Sequence, residues 1–254
     1  MSEKKLDIKE KIGDATEVAF CFDTTGSMSP CIAQVRNQIE STCEQLFQDI
    51  EGLKVGMIAH GDYCDGDNVI NFLPLTDDQE KIFKFIRETP NTCGGDAPEC
   101  YELALHIAQQ LGWGNAPGKI LVMIGDAEPH PPTYSENVQD LNWEEEAEKL
   151  AAMDVQVLPL QCLYGSWFWP ALAEKFDMPL LNLERFEEAS ETLMGAAYAA
   201  SGDFALYEDR LDDKLARGVV TCSTDMITRN CMLRATAKKY AEKRGTTVGD
   251  TEKK

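Results

Sequence analysis

Three short stretches of this chain bring side-chain oxygens together at spacings that suit cation chemistry. In Asp23-Thr24-Thr25-Gly26-Ser27-Met28 a carboxylate is followed two and four residues later by hydroxyls that straddle a glycine. In Gly94-Gly95-Asp96-Ala97-Pro98-Glu99 two glycines precede two carboxylates. In Gly125-Asp126-Ala127-Glu128-Pro129-His130 a carboxylate follows an apolar run. Carboxylate and hydroxyl oxygens are what a hard cation such as Mg²⁺ takes. The first two stretches also have a plainer reading. Thr25 or Ser27 would cap a following helix, and Asp96 and Glu99 would suit a helix start through the macrodipole. Convergence of the three loops on one point would favour the cation.

Catalytic chemistry has less support. The histidines are His60, His106 and His130. His106 falls mid-helix and reads as a surface or satisfied side chain. His60 ends a strand and His130 follows Asp126, so both could stand near the site as rim or supporting residues, or less readily as a base. No H-E-x-x-H, G-x-S-x-G or Cys/His zinc cluster occurs. Gly112 to Gly118-Lys119 imitates a phosphate loop, but it is one residue too long, lacks the following Ser/Thr and precedes a strand. A non-enzymatic role is expected. A two-carboxylate metal site that hydrolyses phosphoesters is the competing reading.

Apolar runs and helical periodicity locate the elements that must hold these loops. Residues 17–22 read as a buried strand ending at Asp23, and 28–50 as one long amphipathic helix. Strands are expected at 53–59 and at 68–73, the latter as a hairpin partner, with a helix after Asp77 and Asp78 to about 88. A helix over 98–111 would use Pro98 in its first turn. The run 119–125 is the most strand-like and ends at Asp126. Further elements follow as helix 143–152, strand 154–160, helix near 168–176, strand 179–182 and helix 185–200. Alternating strands and helices predict an α/β fold, a doubly wound and mostly parallel sheet. Such sheets bind ligands beyond the carboxyl ends of their strands, where Asp23 and Asp126 stand. Residues 201–254 lack strand signals. They read as a C-terminal helical extension, with helices at 204–217 and 226–243 and a mobile basic end.

The 254 residues are 43% hydrophobic and 27% charged, enough for a sizeable core. Acids outnumber bases 44 to 24, for a formal charge of −20. Nucleic acid and anionic membrane are therefore not expected as partners, because phosphate binding needs a basic footprint. Residues 226–254 hold eight Lys/Arg against three Asp/Glu, a net of +5 that leaves −25 on the rest. Nine cysteines without a CxxC pair, and a start without an apolar signal-type region, predict free thiols in a cytoplasmic protein. Trp143, Trp167, Phe168 and Trp169 offer either core packing or a contact surface, with core favoured for at least two rings.

The three loops, in this order, resemble the metal-ion-dependent adhesion site (MIDAS) of the von Willebrand factor type A (vWA) domain family. That family has Asp-x-Ser/Thr-x-Ser, then a Thr or carboxylate, then an Asp after the fourth strand. The resemblance covers about residues 15–200. Asp96-Ala97-Pro98-Glu99 and Asp126-Ala127-x-x-His130 are similar to the forms found in integrin β inserted domains and in vWA domains linked to alpha-type kinases. The resemblance implies a Rossmann-like fold with Mg²⁺, or Mn²⁺ or Ca²⁺, held by Asp23, Thr25, Ser27, Glu99 and Asp126. Thr25 and Ser27 would ligate directly, Glu99 directly or through water, and Asp23 and Asp126 largely through water. It also suggests an all-oxygen second ion at Asp62, Asp96, the Pro98 carbonyl and Glu99, although Gly94 replaces the family's Asn there. The other flanking site of integrin β is not expected, since Ser29-Pro30-Cys31 stands where its acids would be. The implied function is capture of a protein partner that presents an Asp or Glu. A role as vWA cofactor of a MoxR- or chelatase-type AAA ATPase is a further possibility. A Ro-type RNA role would need a basic repeat platform.

Overall fold

A computed structural model describes residues 16–183 apart from 117 and 164, together with 194–195, 198, 204–218, 234 and 238. Strand β1 (Thr16–Asp23) is buried along its whole length. Its apolar residues reach both faces, as a central strand covered on two sides requires. It pairs in parallel with β2 (Lys54–His60) and with β4 (Gly118–Gly125). The antiparallel edge strand β3 (Ile70–Thr76) adds to β2, while β5 (Gln156–Gln161) and the short β6 (Leu181–Asn182) extend the other side in parallel. The order is β3-β2-β1-β4-β5-β6. The chain therefore builds outward from β1 in one direction and then restarts on its other flank at β4. This reversal puts a crevice at the carboxyl ends of β1 and β4, the usual ligand position in an open α/β sheet.

Helices α1 (Ile32–Asp49), α2 (Gln79–Glu88), α3 (Tyr101–Ala108), α4 (Trp143–Ala152) and α5 (Phe168–Phe176) flank the sheet. Helix α1 turns Ile32, Val35, Ile39, Cys43 and Leu46 into the core, at the spacing an amphipathic helix dictates. Helix α2 is capped by Asp78, whose side chain accepts from the Lys81 N–H at 3.2 Å. Asn142 caps α4 in the same way. Among the described residues no helix is long and apolar enough to cross a membrane.

The first loop interrupts the long helix expected over 28–50. Residues Gly26–Met28 form one 3-10 turn, and α1 starts only at Ile32. Pro30 has no N–H to donate into a continuous ladder. The helix expected from Pro98 starts later as well, at Tyr101. Glu99 is instead drawn to the third loop, where its N–H donates to the Glu128 carbonyl at 2.9 Å. Of the aromatic cluster, Phe168 and Trp169 are fully buried and Trp143 partly so, while Trp167 is 54% exposed.

Beyond the sheet, α6 (Phe204–Ala216) buries Phe204, Tyr207 and Leu211. Its Arg210 pairs with Asp49 of α1 at 2.6 Å and lies over the Tyr198 ring. Arg234 donates to Glu208 of α6 at 3.1 Å. Most of the helices expected at 185–200 and 226–243, and the basic end, lie outside the described residues.

Candidate metal centre

Asp23 is the last residue of β1 and is fully buried. Its Oδ1 accepts from the Thr25 N–H at 2.8 Å and from the Thr25 hydroxyl at 2.7 Å. Its Oδ2 accepts from the Tyr101 hydroxyl at 2.6 Å. Across the switch point, Asp126 Oδ1 accepts from the Ser27 hydroxyl at 2.9 Å. The oxygens of Thr25 and Ser27 stand 3.1 Å apart, within hydrogen-bond reach of each other, and Thr25 also hydrogen-bonds Glu99. Neighbouring oxygens in an octahedral Mg²⁺ shell lie about 3.0 Å apart, so this spacing is that of two adjacent ligands.

The middle loop closes the site. Thr92 N–H donates to the Thr24 carbonyl at 2.9 Å, and Gly26 N–H donates to the Cys93 carbonyl at 3.2 Å. Asp65 accepts from the N–H groups of Asp62, Cys93 and Gly94 at 2.9, 3.0 and 3.2 Å. Burial raises its carboxyl, but these backbone bonds outweigh burial and hold it below the usual range. Gly94 has φ +73°, and a Cβ there would stand 2.8 Å from Glu99 Oε1, so glycine answers both the backbone conformation and the close carboxylate. Glu99 is buried, and its Oε2 has no hydrogen-bond partner among the described residues. Burial first, then Asp23 and Asp62, push its carboxyl up to about 9. Burial, with Asp23 nearby, also raises the Asp126 carboxyl. Among the described residues no Lys or Arg pairs with Asp23, Glu99 or Asp126, so no basic side chain balances these carboxylates. The donor set, the spacing of the hydroxyl oxygens and the orphaned Glu99 oxygen all fit a hard divalent ion.

The sequence pattern of the von Willebrand factor A domain family matches residues 17–153, slightly over half of the chain. The chain belongs to that family. Over 138 residues, 52% of the chain, the A domain is 26% identical to the alpha-protein kinase vwkA of Dictyostelium discoideum, and it spans only 22% of that protein. The pilus adhesin SpaC of Lactobacillus rhamnosus GG superposes with a TM-score of 0.55 at 13% identity, over 76% of this chain and 30% of that one. Proximal thread matrix protein 1 of the mussel byssus gives 0.55 at 13% identity, over 75% and 47%. These likenesses establish the doubly wound α/β fold, and the chain spans less than half of each of these proteins.

Within the A domain, Asp23, Thr25, Ser27 and Asp126 are joined by hydrogen bonds, and Glu99 faces the same crevice beside Gly94 and Thr25. Tyr101 was not among the expected site residues. Its hydroxyl donates to Asp23 and accepts from the N–H groups of Asp126 and Ala127 at 3.1 and 3.3 Å, so it ties β1 to β4 from below. Gly125 makes room for it, since a Cβ there would lie 2.0 Å from the Tyr101 oxygen. The signal was the G-D after the strand, which reads as a turn until the tyrosine is placed. His60 and His130 are buried rather than on the rim. His60 lies edge-on to Tyr101, and His130 Nε2 sits 2.8 Å from Asp62 Oδ1. His106 is partly exposed on α3 and pairs with Glu146 of α4 at 3.0 Å.

Proposed function

We propose that this A domain is a divalent-cation-dependent protein-binding module, and not an enzyme, whose MIDAS-type site captures a carboxylate of a partner. The convergence of the Thr25 and Ser27 hydroxyl oxygens, 3.1 Å apart and each hydrogen-bonded to a carboxylate at a strand end, supports this reading. Thr25, Ser27 and Glu99 would hold the ion, with Asp23 and Asp126 fixing the two hydroxyls. When bound, Mg²⁺ supplies a fixed positive charge and an open coordination position that an Asp or Glu side chain of the partner fills.

The chain's own residues account for the selectivity. Neutral hydroxyls next to buried carboxylates leave the ion's charge incompletely cancelled, so an anionic partner group is favoured. Asp23 orients Thr25, Asp126 orients Ser27, and Tyr101 fixes both strand ends relative to each other. The chain carries formal charge −20, and −25 outside its basic end, so an acidic partner is repelled over most of the body except at a loaded site. The free thiols suit a reducing compartment, and a cytoplasmic location belongs to the same proposal.

The test is a pull-down from cell extract in Mg²⁺, in EDTA and with Asp23→Ala, read by quantitative mass spectrometry. The proposal expects partners that are present in Mg²⁺ and lost in both controls. Equal recovery in all three arms would refute it.

A further inference from the structure

Beside the first site lies a second group of donors with different chemistry. Asp62 follows β2 and is fully buried. Asp96 stands in the middle loop, and His130 follows Asp126 on the third loop. His130 Nε2 is 2.8 Å from Asp62 Oδ1 and 3.8 Å from Asp96 Oδ1. One donor atom from each residue lies within 4.8 Å of the other two. Ligand atoms around a tetrahedral Zn²⁺ at its usual bond lengths are about 3.4 Å apart, and the two measured distances straddle that value.

The imidazole is fixed by ring packing and by its backbone, while its Nδ1 has no hydrogen-bond partner among the described residues. Its ring stacks on Tyr134 at 3.8 Å between centroids and 16° between planes, and Tyr63 packs against it at 5.6 Å. Its backbone N–H donates to Glu102 at 3.0 Å. Glu102 also accepts from the Tyr63 hydroxyl at 2.8 Å, which fixes the ring that supports the imidazole. The charge balance points the same way. Asp62, Glu99 and Glu102 are buried close together, and no Lys or Arg pairs with them or with Asp96 among the described residues. Among the described residues His130 is the one basic side chain paired with Asp62 and Asp96, and a bound cation would take the place of its proton.

We propose that Asp62, Asp96 and His130 form a second cation site that takes a borderline transition ion of the Zn²⁺ type. It differs from the all-oxygen flanking ion that the family resemblance implies. That ion would use Glu99 and the Pro98 carbonyl, whereas here an imidazole nitrogen is aimed at the same Asp62 and Asp96. A nitrogen donor selects for Zn²⁺ over Mg²⁺, which keeps to oxygen and near-ideal octahedral geometry. The site does not depend on whether the first one holds Mg²⁺.

The test is calorimetric titration of the full chain with Zn²⁺ in excess Mg²⁺. The background is Cys64→Ser/Cys93→Ser/Cys222→Ser/Cys231→Ser, so that neither the two thiols exposed among the described residues nor the two cysteines outside them capture the ion. One Zn²⁺ per chain is expected. Asp96→Ala should weaken it at least tenfold, His130→Gln should do the same, and Ser27→Ala should leave it unchanged. Asp96 is half exposed, so its replacement leaves the fold intact even if His130→Gln does not. Absence of Zn²⁺ binding, or binding kept at full affinity in Asp96→Ala, overturns the proposal. Loss in Ser27→Ala with retention in Asp96→Ala overturns it too, by assigning the ion to the first site.

Discussion

The Tyr101 hydroxyl donates to Asp23 Oδ2 at 2.6 Å and accepts from the Asp126 N–H at 3.1 Å, so one phenol oxygen joins the two strand ends that define the site. Burial, and then Asp23, push this phenol well above its usual range, so it remains a donor at any working pH. Tyr101→Phe should destabilise the fold by about 1–3 kcal/mol, because a buried carboxylate loses a charge-assisted bond. It should also weaken the stabilisation by Mg²⁺. Thermal melts with and without Mg²⁺ separate the two effects, and a variant that melts like the wild type in both conditions would remove Tyr101 from the account.

Gly125→Ala should be more damaging than its size suggests. The new Cβ would meet the Tyr101 oxygen at 2.0 Å and ring carbons at 2.8 and 2.9 Å, all parts of a fully buried ring. Overpacking of this kind typically costs about 1–3 kcal/mol, and the displaced hydroxyl adds to that. Urea unfolding gives the value, and a loss under about 0.5 kcal/mol, the range of an inert surface substitution, would contradict the close approach.

Mg²⁺ or Mn²⁺ should raise the melting temperature. A ligand that binds only the folded state stabilises it by mass action, by about 2.7 kcal/mol at a hundred times its Kd. Asp23→Ala should abolish that response. Identical wild-type melts in EDTA and in millimolar Mg²⁺ would count against the site.

The pH dependence of the metal-free chain follows from its raised carboxyls. Glu99 is pushed from the ordinary 4.5 to about 9, chiefly by burial and then by Asp23, and burial lifts Glu102 to about 7. The folded state then holds protons that the unfolded chain has already released. Stability should decline as pH rises from about 5 to 9. Mg²⁺ should blunt the decline and release up to about one proton per ion bound near neutral pH. Calorimetry in buffers of different ionisation enthalpy measures that proton, and its absence would place Glu99 outside the ion's reach.

Turnover provides a separate check. No phosphatase, nuclease, protease or ATPase activity above a Ser27→Ala control is expected, since no nucleophile–base pair or phosphate loop accompanies the site. Metal-dependent turnover that vanishes in Ser27→Ala would favour the hydrolase reading.

Much of this was legible in the chain itself. Asp23 and Asp126 each close a buried apolar run, and that alone put them at the functional edge of a parallel sheet. The three loops were visible because carboxylates, hydroxyls and glycines recur at short spacing. Tyr101 was not legible, because its role depends on α3 starting at Tyr101 rather than at Pro98 and on the room that Gly125 leaves. The tether of Glu99 to Glu128 competes with helix propensity, and no local pattern reports a contact 29 residues away. The sequence left His130 between a rim and a supporting residue, because its burial comes from Tyr63, Tyr134 and Asp62, which arrive from other parts of the chain or from the loop beyond it.

The most direct measurement is anomalous diffraction from crystals grown in Mn²⁺ with excess Mg²⁺ omitted. The account expects a Mn²⁺ peak within bonding distance of the Thr25 and Ser27 hydroxyls, beside Glu99 and with Asp126 close by. The same crystals of Asp23→Ala should lack it. A wild-type map without a peak between Thr25 and Ser27, at a Mn²⁺ concentration that saturates other sites, would contradict the central claim.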